Sequence, residues 1–246
     1  MSLDFLRARE VTNVVRFFLD DCLPPVLRDN RMLMGLIARL YCGSTYSKFD
    51  LDFKMRALRM SDAEMAKVYE NAPGCGDRRV RDTDLTRAEI EYVLSHVRGN
   101  RILELGCGAG VLSLALARRY SDVTSTDVHS SITLKLDARS RQEGISLLTG
   151  VAVAEHLPFE DKSFETVVAA HTLEHVRHFE QAVKEMVRVA RDRIMIIIPR
   201  QRYYRYTVDY HLHFFPDCQQ LILRVGLPHY QCEVITGDIC YTGHVS

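Results

Sequence analysis

The segment Ile102–Gly110 constrains the fold of this 246-residue chain more than any other stretch. It reads ILELGCGAG, a short apolar run followed at once by three glycines in five positions, and helical spacing begins near Leu112. Glycines between a strand and a helix let the backbone approach a ligand closely, and the N-terminus of the following helix favours polar ligand atoms there. The segment therefore predicts a strand, a ligand-binding loop and a helix in succession.

The chain beyond this loop alternates between apolar runs and helical patterns. Further apolar runs lie at 123–126, 146–153, 166–170 and 194–198. Strands that alternate with helices form right-handed crossovers, which build a mostly parallel sheet with helices on both faces. Near the end, short strands at 230–235 and 239–245 flank the turn signal Gly237-Asp238 and predict a terminal antiparallel hairpin.

A helical region precedes this α/β pattern. Apolar residues recur at helical spacing from Val11 to Phe18, and Ser61 with Glu64 forms a capping-box pattern. A Pro- and Gly-containing stretch at 71–85 predicts a linker. We therefore expect residues 1–84 to be a helical N-terminal segment, either an accessory layer or a lid, and residues 85–246 to be the ligand-binding domain.

Composition limits the classes of partner and compartment. Lysine and arginine together number 32, as do aspartate and glutamate, so the overall charge gives no reason to expect nucleic acid as the main partner. The seven cysteines form no C-x-x-C pair, which is typical of a reducing compartment. Charged residues interrupt the N-terminal sequence, and no run approaches the roughly 20 apolar residues of a membrane span. We expect a cytoplasmic protein without a membrane span.

An acidic residue strengthens the prediction of a cofactor loop. Asp127 follows the apolar run 123–126 and lies 21 positions after Gly106. An acidic side chain at the end of the second strand accepts hydrogen bonds from the hydroxyls of a ribose. A surface aspartate is the alternative interpretation, and the spacing favours ribose binding.

Two further segments follow the glycine loop in a fixed order: Leu157–Phe164 reads LPFEDKSF, and Leu173–Val176 reads LEHV. Together with Ile102–Gly110 they resemble motifs of class I S-adenosylmethionine-dependent methyltransferases of the small-molecule, type 11-like kind, and the likeness extends to Gly226. The resemblance implies a Rossmann-like, mostly parallel seven-stranded sheet with a terminal antiparallel hairpin. It also implies S-adenosyl-L-methionine as the cofactor and S-adenosyl-L-homocysteine as the product.

The resemblance assigns cofactor contacts residue by residue. Glu104 and the glycine loop would hold the methionine end, Asp127 the ribose, and Val128 with the turn after the third strand the adenine. Because ligands bind at the carboxyl ends of strands in an open α/β sheet, His171 should border the same crevice. The expected cofactor residues are Glu104, Gly106, Cys107, Gly108, Gly110, Asp127, Val128, Ala154, Glu155, His156 and His171.

Three positions depart from the family pattern. Val153 stands where an acidic residue often precedes Ala154, and Glu165 stands in place of an aspartate after Phe164. The Lys-Pro-Gly-Gly turn before the fifth strand is replaced by Arg188–Arg193. The first two departures weaken the adenine assignment, and the third concerns the loop more than the cofactor pocket.

Two histidines are the candidate general bases for an acceptor that must lose a proton. His171 follows the fourth apolar run, and His211 lies in the Tyr- and His-rich stretch Arg200–Phe215, which we expect to face the acceptor. A structural histidine is the alternative for both. His171 to His175 also matches the H-x-x-E-H zinc-protease pattern, but that pattern needs a helix and this segment follows a strand directly, so we expect no metal.

The expected reaction is in-line transfer of the methyl group to a small-molecule, lipid-linked or glycan-linked acceptor. A noncatalytic S-adenosylmethionine-binding subunit is the main alternative. A nicotinamide-dependent oxidoreductase fits less well, because its G-x-G-x-x-G fingerprint requires glycine at position 111, where this chain has Val111. Neither the acceptor nor the oligomeric state follows from the sequence.

Overall fold

The computed structural model describes residues 17–42, 50–57, 59–61, 64–65, 67–68, 83–206 and 210–245. They divide into two compact units. The first contains the described residues before Thr83 together with Gln201–Phe214, and the second contains Thr83–Arg200 and the chain from Phe215 onward. The segment Gln201–Phe214 thus groups with the N-terminal helices, although the sequence pattern assigned it to the α/β domain. Val11, Val14, Val15 and most of the linker predicted at 71–85 lie outside the described residues.

The first unit is built from short helices. In the described part of this unit, a π-helical turn spans Phe18–Cys22, and the helices include α1 (Pro25–Arg28), α2 (Arg31–Cys42) and α3 (Phe53–Ala57). The predicted capping box is confirmed, because the Glu64 N–H donates to Ser61 Oγ at 3.3 Å and the Ser61 N–H donates to Glu64 Oε2 at 2.7 Å.

An apolar cluster explains why Gln201–Phe214 belongs to the first unit. Phe53, Ala57 and Met65 are buried together, and Tyr210 and Leu212 pack against them. The rings of Phe53 and Tyr210 meet edge to face with centroids 4.9 Å apart. Local sequence carries no signal for these contacts, because they join residues far apart in the chain.

The second unit follows the predicted alternation of strands and helices. Its elements are α4 (Arg87–His96), β1 (Arg101–Leu105), α5 (Val111–Ala117), β2 (Asp122–Asp127), α6 (Ser130–Gln142), β3 (Leu148–Val151), β4 (Phe164–Ala170), α7 (Phe179–Val189), β5 (Ala190–Pro199), α8 (Cys218–Val225), β6 (Tyr230–Ile235) and β7 (Asp238–His244). Thr86 with Glu89 forms a capping box at the start of α4, and Asp217 caps α8 by accepting from the Gln220 N–H at 2.9 Å.

The seven strands form one sheet in the order β3-β2-β1-β4-β5-β7-β6. The first five strands pair in parallel, β7 pairs antiparallel with both β5 and β6, and β6 forms the edge. The Rossmann-like, mostly parallel sheet with a terminal antiparallel pair is therefore confirmed. Its order reverses between β1 and β4, so the carboxyl ends of these strands flank the crevice in which α/β sheets bind ligands.

The hairpin turn differs by one residue from the predicted one. Thr236 and Gly237 occupy the two turn positions with φ of 48° and 96°, and Asp238 already pairs with Ile235 in the ladder. A two-residue hairpin turn of this kind requires positive φ at both central residues. Thr236 tolerates it because its hydroxyl hydrogen-bonds to Glu89 and lies 2.8 Å from Thr86 Oγ1. The shift places Asp238 at the start of β7 rather than in the turn.

Both faces of the sheet are covered by apolar side chains. One cluster centres on β4, β5 and α7, with Phe179, Met186 and Ile196 fully buried, and the other lies under α4 and α5, with Val93 and Leu114 fully buried. Parallel strands that are buried on both faces appear in a sequence as continuous apolar runs, and the strands of this sheet show that pattern. Within the described ranges, no helix is long and apolar enough to cross a membrane.

Candidate active site

The glycine loop joins β1 to α5 at the carboxyl edge of the sheet. Gly106 has φ of 70°, and a Cβ there would lie 2.2 Å from Thr172 Oγ1, so a larger residue does not fit. Thr172 Oγ1 donates to the Leu105 carbonyl at 3.0 Å and holds this contact in place. Gly108, in contrast, has φ of 50° and faces open space. The loop thus packs tightly against β4 at one end and leaves its backbone accessible in the middle.

Asp127 ends β2 directly beside this loop. The Gly108 N–H donates to Asp127 Oδ2 and the His129 N–H donates to Oδ1, both at 3.1 Å. The Cys107 N–H donates to the Thr126 carbonyl at 2.9 Å, which fastens the loop to β2. The structure therefore brings the predicted ribose acid and the glycine loop together.

Glu104 lies under the loop on β1 and is 3% exposed. The hydroxyls of Ser113 and Ser125 both donate to its Oε2, the second at 2.7 Å. Burial raises the pKa of Glu104 to about 7, the negative charge of Asp127 adds to this effect, and the two hydroxyls oppose it. The carboxyl group is consequently close to the midpoint of its titration at neutral pH, and a cationic ligand would favour its charged form.

The predicted adenine residues are Val128, directly after β2, and Ala154, Glu155 and His156 in the turn after β3. Val128 is 54% exposed, which leaves an apolar surface beside Asp127. The His156 N–H donates to the Val153 carbonyl at 2.9 Å and closes the turn. The Glu155 carboxylate accepts from the Arg177 N–H at 3.0 Å. The Glu155 carboxylate thus holds the chain before α7, and the adenine role of Val128, Ala154, Glu155 and His156 stays a prediction.

His171 lies at the carboxyl end of β4 with φ of 50°, a value that is uncommon for a residue other than glycine. Its Nε2 is 3.0 Å from Asp238 Oδ2, and its Nδ1 is 3.4 Å from Glu174 Oε1. Burial by itself would lower the pKa of His171, but the nearby carboxylates of Asp238 and Glu174 raise it to about 10. The two carboxylates thus favour the charged imidazolium, a form without a lone pair with which to accept a proton. The role of His171 as a base stays a prediction.

The sequence gives little indication that buried carboxylates surround His171. Asp238, Glu174 and Glu89 are each 0% exposed, and ligand atoms of Glu89, His171 and Asp238 lie within 4.8 Å of one another. The sequence pattern assigned Asp238 to a turn and Glu89 to a helix cap. The antiparallel return of β7 brings Asp238 to His171, and Glu89 reaches the same place from α4. The segment from His171 to His175 forms a bend and turn rather than a helix, so the zinc-protease pattern lacks the helical face that it requires.

His211, the second candidate base, belongs to the first unit. Its Nδ1 is 2.6 Å from Gln201 Oε1, and the side chain is partly buried. Tyr204, from the same stretch, is buried, whereas Tyr203 is exposed. Asp209 lies outside the described residues. The role of His211 as a base stays a prediction.

Comparison with known proteins places the central part of the second unit in a family. Residues 103–198 match a methyltransferase domain family. The match supports a class I S-adenosylmethionine-dependent methyltransferase domain over these residues. Its cofactor is therefore S-adenosylmethionine, and the glycine loop, Asp127 and the turn after β3 all fall within or beside the matched residues.

Among curated relatives, a ubiquinone/menaquinone biosynthesis C-methyltransferase of Chromobacterium violaceum is 37% identical over 94 residues, which is 37% of this chain and 38% of that protein. An uncharacterised protein of Mycobacterium tuberculosis is 36% identical over 93 residues, or 38% of this chain and 34% of that protein. The chain thus spans little more than a third of the length of the curated relatives that it matches.

Solved structures share the fold of the methyltransferase domain. A protein of Pyrococcus horikoshii superposes with a TM-score of 0.56 at 17% identity, covering 72% of this chain and 98% of that one. A methyltransferase of Methanosarcina mazei superposes with a TM-score of 0.51 at 18% identity, covering 66% and 98% respectively. At these identities the likeness concerns the fold alone.

Proposed function

We propose that this protein transfers the methyl group of S-adenosylmethionine to a small-molecule acceptor. The observation that carries the proposal is the meeting of three elements at the switch point of the sheet: the accessible loop at Gly108, the carboxylate of Asp127 and the buried carboxyl of Glu104. A loop with exposed N–H groups, a ribose acid and an acidic group for a cationic amino-acid end match the polar parts of this cofactor.

The residues of the domain act by binding and orientation. When bound, S-adenosylmethionine supplies a methyl group already activated by its positive sulfur. Asp127 would accept hydrogen bonds from the ribose hydroxyls, and Glu104, in its charged form, would balance the positive charge at the methionine end. Exposed Val128 would cover one face of the adenine ring. Rate enhancement then comes chiefly from holding the acceptor in line with the transferred group, at roughly 3–3.5 Å from it.

We assign His171 a positioning role rather than that of a base. Its charge is compensated by Asp238 and Glu174, so the imidazolium ties β4 to β7 at the edge where the acceptor would arrive. An acceptor that loses a proton only after methyl transfer, such as a ring carbon, does not require a strong base in the free enzyme. The C-methyltransferase relatives act in ubiquinone and menaquinone biosynthesis, and a quinone-type ring is therefore the first acceptor class to test.

The first test is calorimetric titration of the full chain with S-adenosylhomocysteine. We expect saturable binding that Asp127→Ala weakens about 10- to 100-fold, because a hydrogen bond to a charged group contributes roughly 1.5–3 kcal/mol. Asp122→Ala is the matched control: Asp122 begins the same strand at the opposite edge of the sheet, where it lies 3.5 Å from Arg101. Equal affinities of the wild type and Asp127→Ala would refute the ribose role.

Turnover distinguishes the enzyme from a noncatalytic binding subunit. The same protein is incubated with S-adenosylmethionine carrying a labelled methyl group and with quinone-type, lipid-linked or glycan-linked acceptors. Label transfer to one class supports the proposal and identifies the acceptor. Tight binding of the cofactor without label transfer to any class would favour the noncatalytic alternative.

A further inference from the structure

Two serine hydroxyls converge on one oxygen of the buried Glu104 carboxyl. Ser125 lies on β2 and is the register partner of Glu104 in the β1–β2 ladder, and Ser113 is the third residue of α5. Both hydroxyls donate to Glu104 Oε2, that of Ser125 at 2.7 Å, and both serines are fully buried. A strand and a helix thus direct a hydroxyl at the same carboxylate oxygen.

The other neighbours of Glu104 do not favour its charge. In the described part of the chain, the titratable groups that act on it are Asp127, whose negative charge opposes a second one, and the thiol of Cys107. Burial raises the pKa of the Cys107 thiol, so this group stays neutral and supplies no positive charge. Burial also disfavours the ionised form of Glu104 itself. The two serine hydroxyls are therefore the groups that stabilise the ionised carboxyl.

The second oxygen, Oε1, has different surroundings. No hydrogen bond joins Oε1 to a described residue, and the atom is not completely enclosed by the protein. An ionised carboxylate has acceptor sites on both oxygens, so donors at Oε2 leave Oε1 able to accept from a ligand. The ammonium group at the methionine end of the cofactor is a donor of the required charge.

We propose that Ser113 and Ser125 are positioning residues for cofactor binding. By donating to Oε2 they hold the Glu104 carboxyl ionised and in one orientation, and Oε1 accepts from the ammonium group of S-adenosylmethionine. This inference rests on the proposed function, because it requires that the ammonium group binds beside Glu104. Two side chains that need not touch the cofactor thereby set the affinity for it at neutral pH.

The test compares the affinities of the full-length wild type, Ser113→Ala and Ser125→Ala for S-adenosylhomocysteine by calorimetry from pH 6 to pH 9. Loss of one hydroxyl should raise the titration midpoint of Glu104 by about one pH unit, because a hydrogen bond to a charged group contributes roughly that much. Each variant should therefore bind about tenfold more weakly than the wild type at pH 6 and within about twofold of it at pH 9. The ratio of affinities cancels the titration of the ligand, which is common to all three proteins.

A purely structural role of the serines would give a different profile. If removal of a hydroxyl only disturbed the packing beneath the loop, the affinity would fall by the same factor at every pH. Such a constant ratio, or wild-type affinity of both variants at pH 6, would overturn the proposal.

Ser140→Ala is the matched control. Ser140 is also buried, on α6 of the same domain, but its hydroxyl donates to the Asp137 carbonyl at 2.9 Å rather than to a carboxylate. We expect this variant to bind S-adenosylhomocysteine as the wild type does throughout the pH range. The same pH-dependent loss in Ser140→Ala would contradict a specific effect of the two serines on Glu104.

A measurement without ligand separates failure of this inference from failure of the proposed function. In protein with 13C-labelled glutamate side chains, the Glu104 carboxyl signal, assigned by its loss in Glu104→Gln, should titrate near pH 7 in the wild type and about one pH unit higher in each serine variant. An unchanged midpoint in both variants would overturn the inference even if the wild type binds S-adenosylhomocysteine. A wild type that does not bind S-adenosylhomocysteine would overturn the proposed function, and the positioning role with it, whatever the midpoint.

Discussion

At the scale of single residues, burial acts on two titratable side chains of the methyltransferase domain with different results. Loss of solvation on burial is the main reason that the pKa of Glu104 rises to about 7, and the negative charge of the neighbouring Asp127 adds a smaller contribution. The pKa of His171 rises to about 10 in spite of burial, because Asp238 and Glu174 favour the charged ring. Both residues are therefore sensitive to pH near or above neutrality.

The titration of Glu104 predicts that cofactor binding releases a proton. The ammonium group of S-adenosylhomocysteine would favour the charged carboxylate, so affinity should rise by about tenfold between roughly pH 6 and pH 8. Calorimetry at pH 7 in buffers of different ionisation enthalpy measures the proton released. Glu104→Gln should remove the release. A pH-independent affinity in the wild type would contradict the assignment of Glu104 to the methionine end.

The charge of His171 predicts a pH-dependent contribution to stability. Its folded-state pKa is raised above the unfolded value, so the contribution is complete below about pH 6.5 and is lost as the pH rises toward 10. Near pH 7, His171→Gln should cost about 3–5 kcal/mol, because it leaves Asp238 and Glu174 buried without their cation.

Urea unfolding of the wild type and His171→Gln across this pH range measures the difference. The gap between the two proteins should shrink as the pH approaches 10. His96→Gln serves as the control, because His96 ends α4 and its Nδ1 is 2.9 Å from the Tyr92 carbonyl oxygen rather than beside a buried carboxylate. A gap that is constant with pH would show that His171 is neutral in the folded state.

At the scale of elements, Arg188 holds the segment that leads from β3 to β4. Its guanidinium donates to the carbonyls of Leu157 and Phe159 at 3.0 and 2.8 Å, and to Asp161 Oδ1 at 2.8 Å. Glu185, one turn earlier on α7, pairs with Arg188 and accepts from the Leu157 N–H at 2.8 Å. Arg188, in the last turn of α7, therefore orders the LPFEDKSF motif.

Arg188→Ala should loosen this segment and, through it, the adenine turn. We expect a loss of about 1–2 kcal/mol in the free energy of unfolding, since the guanidinium is partly exposed, together with weaker S-adenosylhomocysteine binding. Chemical denaturation and calorimetry give the two values. Arg119→Ala, at an exposed arginine after α5, should change neither, and an Arg188→Ala protein with unaltered stability would contradict the proposed clamp.

At the scale of the whole molecule, the position of β7 separates this sheet from the dinucleotide-binding fold. The β3-β2-β1-β4-β5-β7-β6 order inserts an antiparallel strand where the classic dinucleotide-binding sheet continues in parallel. Its antiparallel return also delivers Asp238 to His171. The strand order of the sheet and the carboxylate beside His171 thus both depend on β7.

From this topology we predict that the protein binds S-adenosylhomocysteine and not NADH, although both ligands contain adenosine. S-adenosylhomocysteine at about 100 times its dissociation constant should stabilise the protein by roughly 2.7 kcal/mol, whereas NADH at the same concentration should not. Thermal unfolding with each ligand makes the comparison. Stabilisation by NADH alone would reverse the assignment of the cofactor.

The sequence by itself determined the alternation of strands and helices, the glycine loop, the helix caps at Thr86 and Asp217, and the place of Asp127 beside the loop. These features depend on residues that are near one another in the chain or on the regular geometry of βαβ units. The tertiary structure alone decided which carboxylates surround His171, the burial of Asp238 and Glu89, and the grouping of Gln201–Phe214 with the N-terminal helices. Each of these depends on contacts between residues distant in sequence, and only the folded chain brings such residues together.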